Sequence, residues 1–138
     1  MADREMQIIL PTDRSADMRS ALIVESDASN ASVVSQSLKG LGFCVNSVAS
    51  GVEAVIAARE NPPTVIFIAV QLRDVGGLAL AMWLRANPTL QTVPIVAMHS
   101  TDADTPDLGK GVFNAHLRKP TSSEKIAEVM RNIVTSRP

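Results

Sequence analysis

Five short apolar runs alternate with four helix-patterned segments between Ala21 and Val134, and few folds tolerate that rhythm. The runs near 21–25, 43–48, 64–69, 93–98 and 113–118 read as strands, and the segments near 28–39, 51–60, 76–86 and 122–134 read as helices. Strand, helix and strand in succession is the signature of parallel βαβ units with right-handed crossovers. The third and fourth runs are nearly unbroken in their apolar character, as strands covered on both faces require, so they belong at the centre of the sheet.

Each helical segment carries an apolar stripe expected to face that sheet. The stripes are Val34, Leu38 and Leu41; Val52, Val55 and Ile56; Leu80, Trp83 and Leu84; and Ile126, Val129, Met130 and Ile133. Trp83 is accordingly expected in the core. The breaks agree: Asn61-Pro62-Pro63 ends the second helix, Asn87-Pro88 ends the third, and Thr121 with Glu124 has the spacing of a capping box before the last. Residues 101–112 are the exception. A fourth helix belongs there, but Pro106, Gly109 and Gly111 predict one that is short, broken or absent.

Residues 1–20 lack regular periodicity and read as a flexible lead-in, with an apolar patch from Met6 to Leu10 that can dock on the domain or on a partner. Residues 21–135 then form one domain and 136–138 a tail, and the 46% hydrophobic and 20% charged composition is enough to bury a core. A net charge of −1 with scattered basic residues disfavours nucleic-acid binding. No apolar run reaches the roughly 18 residues of a membrane span, so a cytoplasmic protein is expected. Cys44 is the sole cysteine, which leaves no disulfide or thiolate cluster; it is expected to pack as a small hydrophobe.

Four separated segments carry a resemblance. They are Leu22-Ile23-Val24-Glu25-Ser26-Asp27, Val65 to Ala69 through Gly76-Gly77, Val93 to Ser100, and His116-Leu117-Arg118-Lys119-Pro120. In that order and spacing they resemble the receiver domain of two-component response regulators. The resemblance implies a flavodoxin-like (CheY-like), doubly wound α/β fold. Its five parallel strands run in the order 2-1-3-4-5, with any site at the carboxyl ends of the first, third and fourth.

The family's chemistry transfers a phosphoryl group to an aspartate, using acidic residues that hold magnesium and hydroxyl and cationic groups that stabilise charge. Carried over by position, the acidic pair falls on Glu25 and Ser26, the acceptor on Ala69, the hydroxyl on His99 and the lysine on Lys119. His116 stands at the aromatic switch position and Arg73 where proline is common, while Gly77 and Pro120 match. A methyl group cannot be a nucleophile, and Ser26 is a neutral hydroxyl in place of an anionic ligand. The expected molecule is therefore a pseudo-receiver that takes up no phosphate, has no catalytic residue, and holds no metal or cofactor. Lys119 and Glu25 are expected to approach each other across the vacated pocket, and Lys119–Pro120 matches a bond usually cis in the family.

Such a module acts by docking to a histidine kinase, a sibling receiver or another copy of itself. The resemblance places the usual output surface on the fourth helix, fifth strand and fifth helix, which makes 101–112 the favoured specificity region. Two other readings compete. One is ligand, metal or pH sensing through Glu25, His99, His116 and Lys119; the other is a phosphate shuttle with a non-standard acceptor. For the candidate acceptors the ordinary roles are preferred, a helix cap for Asp27 and a turn residue for Asp74. No phosphate-cradling glycine motif and no nucleophile elbow occur.

Overall fold

The computed structural model describes residues 19–100 and 111–136. Strands β1 (Arg19–Val24), β2 (Phe43–Val48), β3 (Val65–Ala69), β4 (Ile95–His99) and β5 (Ala115–Arg118) form one sheet, all pairs parallel, in the order β2-β1-β3-β4-β5. This is the order 2-1-3-4-5 expected from the resemblance. Helices α1 (Ala28–Gly40), α2 (Gly51–Glu60), α3 (Gly77–Arg85) and α4 (Ser123–Ser136) connect and cover the strands, with a short 3-10 turn at Pro88–Leu90. Among the described residues no helix is long and apolar enough to cross a membrane.

The period of two in a strand divides the core into two layers. Ile23, Phe67, Ala69, Val96 and Met98 pack with Val34, Leu38 and Ile126 on one face. Leu22, Ile66, Ile68 and Ala97 pack with Ala54, Ala58, Leu80 and Leu84 on the other. β3 and β4 are buried along their whole length, as their unbroken apolar runs require.

Several expectations need correction. β1 starts at Arg19 rather than Ala21, because Ser20 is tied to Thr64: its N–H donates to Thr64 Oγ1 at 2.9 Å, and that hydroxyl donates back to Ser20 O at 2.6 Å. Ser122, not Thr121, caps α4, accepting from Lys125 N–H at 3.3 Å. Cys44 is exposed, since β2 is an edge strand whose alternate residues face water. The stripe of α2 is rotated: Gly51, Ala54 and Ala58 face the sheet, while Val52 and Ile56 are 60% and 52% exposed. Trp83 is likewise 48% exposed and Leu41 40% exposed. Residues 1–18 of the lead-in and residues 101–110, where a short, broken or absent helix was expected, lie outside the described residues.

Two caps hold α2 in this rotation. Ser50 Oγ accepts from Glu53 N–H at 3.2 Å, and Asp74 reaches across from the loop after β3 to accept from Gly51 and Val52 N–H at 3.0 and 3.1 Å. These bonds satisfy the free donors of the first turn and hold the Asp74 carboxyl below its usual range. Gly51 also permits contact that a larger residue would block, since a Cβ there would lie 2.5 Å from Val75 Cγ2.

Gly77 matters for a similar reason, where α3 leaves the end of β3. A Cβ on it would stand 2.5 Å from Ala69 O and 2.7 Å from Val70 Cα, and backbone cannot step aside. Gly77→Ala is expected to destabilise the fold by about 3 kcal/mol. The measure is a lower urea midpoint at unchanged slope. The neighbouring Gly76→Ala, with open space around its Cβ position, is expected to be close to neutral.

Candidate functional site

Parallel strands deliver their carboxyl ends to one edge of the sheet, and every residue singled out for the pocket except Gly77 and His116 lies on or just beyond such an end; His116 is the second residue of β5, paired with Ala97. Glu25 follows β1 and is buried, with Ser26 beside it part-buried; Ala69 closes β3 and is fully buried; His99 closes β4 and is 6% exposed; Lys119 follows β5. Gly77 opens α3 against the same edge, and the Lys119–Pro120 peptide bond is cis.

Glu25 is the centre of the polar network. Its Oε1 lies 2.6 Å from Lys119 Nζ and accepts from Asn30 Nδ2 at 2.7 Å, while Oε2 accepts from Asp27 N–H at 3.2 Å. The Glu25 side chain is 1% exposed and that of Lys119 22%. A carboxylate this deep requires a counter-charge and filled lone pairs, and it has both. The expected approach of Lys119 to Glu25 is therefore present in the geometry.

Asn30 was missed by sequence reasoning. It is buried in α1 and its amide also lies 3.6 Å from Met98 Sδ. The signal was present in the stripe: Asn30 stands four residues before Val34 and eight before Leu38, so it continues the sheet-facing row as a polar member. Asp27 is the cap of α1, its Oδ1 accepting from Ser29 N–H at 3.0 Å. Asp74 has the additional role of capping a second helix, which no local pattern reveals because its partners are 22 and 23 residues away.

The histidines meet edge to face, with ring centroids 6.0 Å apart, and Phe113 stands at the same distance from His116. Burial against these rings, and secondly the neighbouring His99, hold the His116 imidazole below its usual value of about 6.5. The unfolded chain therefore takes up a proton first as the pH falls. Stability is expected to be flat above about pH 6.5 and to decline below it, until the folded imidazole also titrates. More than a third of the His116 surface stays in water, so the effect is a small change of slope. Thermal unfolding from pH 5 to 8 should show that slope reduced in His116→Gln; an unchanged slope assigns it elsewhere.

The donor set does not suit a magnesium ion. A hard divalent cation needs several oxygen ligands, preferably carboxylates, in one place. Here Ala69 offers only a methyl, Ser26 a neutral hydroxyl, and the Glu25 oxygens already bind an ammonium and two N–H donors. Among the described residues no three His, Cys, Asp or Glu side chains come together as a metal site. Beside Lys119 the surface opens into a cleft of about 590 Å³, bounded by Asn30, Ser100 and Thr121.

Residues 21–131 match the family model of the response regulator receiver domain. The chain is 28% identical over 116 residues to the polar-differentiation response regulator DivK of Brucella ovis, covering 83% of this chain and 94% of that protein. Among solved structures, a CheY-like response regulator receiver domain from Methylobacillus flagellatus is similar at a TM-score of 0.78 and 31% identity. That match covers 84% of this chain and 98% of the other. The receiver domain of a sensor histidine kinase from Pseudomonas aeruginosa, with a magnesium ion coordinated in its active-site cleft, is similar at a TM-score of 0.76 and 25% identity. It covers 86% and 99% of the two chains.

Proposed function

The chain belongs to the response regulator receiver domain family, and on that premise we propose that it is a pseudo-receiver, a signalling module that works through protein contact and takes up no phosphate. The observation that carries this reading is Ala69. It closes β3 fully buried, at the position the family resemblance assigns to the acceptor aspartate, and its methyl group has no lone pair to attack phosphorus. Glu25 supports the same reading, because its carboxylate is committed to Lys119 and Asn30. The chain is then a binding protein rather than an enzyme. Its partners are of the kind that receivers use in phosphorelays: a histidine kinase, a sibling receiver or a second copy of itself.

The direct test is incubation with a small-molecule acyl phosphate and magnesium, followed by intact-mass measurement. An unchanged mass is expected. Addition of phosphate, whether acid-labile as on a carboxylate or acid-stable as on Ser26, would overturn the reading in favour of a phosphate shuttle. The same protein should bind its partner equally well with and without the phosphodonor.

A further inference from the structure

The rotation of α2 leaves an apolar groove between α2 and α3, on the opposite face of the sheet from Asn30 and α1. Its volume is about 440 Å³, and Val52, Val55 and Ile56 form one wall while Val75, Leu80 and Trp83 form the other. Val52, Ile56 and Trp83 are each about half exposed, where a helix of this kind ordinarily presents polar groups. An apolar surface concentrated in this way marks an interaction site. It is separate from the Glu25–Lys119 network and does not depend on whether the chain accepts phosphate.

We propose that this groove is the docking site for the chain's own segment Met6–Leu10. The segment holds Met6, Ile8, Ile9 and Leu10 with only Gln7 between them, and carries no charge. The groove walls named above are also uncharged. Size agrees: a cavity left by one truncated leucine is about 150 Å³, so the groove has room for roughly three large aliphatic side chains.

Reach agrees as well. The described chain starts at Arg19, the first residue of β1, and α2 packs directly over β1. Residues 11–18 join the apolar segment to that point, and eight residues span up to about 27 Å. β1 is about 20 Å long and a packed helix about 10 Å thick, so the groove lies within the tether's radius. A tether also holds its segment at an effective concentration in the millimolar range, enough for a short apolar contact to persist. A second copy of the chain is a poorer occupant. Eight residues line the groove, against the roughly 20 to 30 a side that a stable interface uses.

Trp83 is the only tryptophan in the chain and stands in the groove wall, so its emission reads occupancy. The comparison is between the full chain, the chain lacking residues 1–10, and the full chain carrying Ile9→Asp and Leu10→Asp. Both altered proteins should show a red-shifted emission maximum and stronger acrylamide quenching, with the far-ultraviolet circular dichroism of the folded domain retained. A synthetic peptide of residues 1–11, added to the truncated protein, should restore the blue-shifted emission. Identical emission in all three proteins would overturn the proposal. So would emission that changes with protein concentration alongside a dimer in sedimentation, which assigns the groove to a second copy.

Discussion

Replacing Lys119 by methionine is expected to lower stability by about 3–5 kcal/mol, far more than the loss of a surface ion pair. The reason lies in the depth of its partner. Glu25 keeps 1% of its side-chain surface, and without the ammonium at 2.6 Å its charge is left with neutral donors alone. Adding Glu25→Gln to the same protein removes the uncompensated charge and retains an acceptor for Asn30, so most of the loss should be recovered. A double-mutant cycle in urea measures the coupling directly. If Lys119→Met costs less than about 1 kcal/mol, the pair behaves as an exposed one and its structural role is lost.

The second large effect is a gain. Ser26→Asp combined with Ala69→Asp would place three carboxylates, with Glu25, around one lysine. In the absence of a divalent cation this protein is expected to be destabilised by about 3 kcal/mol or more, because like charges crowd at a buried strand end. Magnesium should then reverse the loss by mass action, contributing about 2.7 kcal/mol at a hundredfold excess over its dissociation constant. Melting temperature with and without millimolar magnesium is the measurement. The unaltered protein is expected to be indifferent to the ion, and an equal rise in both proteins would show that the native donor set binds magnesium after all. Phosphate uptake by the double variant, absent in the parent, would locate the missing chemistry in those two side chains.

The fold was legible because strand and helix periods are local properties of the chain. The apolar runs at 64–69 and 93–98 announced central strands, and both are buried throughout. The site was legible by position, since parallel strands place their carboxyl ends together whatever residues stand there. Less visible were the partners that complete it. Asn30 was hidden within an otherwise apolar stripe, and Asp74 acts on a helix whose first residues are more than twenty positions away.

The rotation of α2 failed for a clear reason. Hydrophobicity ranks Val52 and Ile56 above Ala54 and Ala58, but close packing on the sheet selects by size, and Gly51 with the two alanines brings the helix nearer. On α3 the sheet-facing side is filled by Leu80, Ala81 and Leu84, which leaves Trp83 outside. Periodicity thus determined which segments become strands and helices, and the family resemblance set Ala69, with no nucleophile, at the acceptor position. Which side of α2 meets the sheet, and that Asp74 caps that helix from the loop after β3, depended on distances between residues remote in the chain. Steric fit and hydrogen bonding of this kind act only once those residues meet, so the tertiary structure alone decided them.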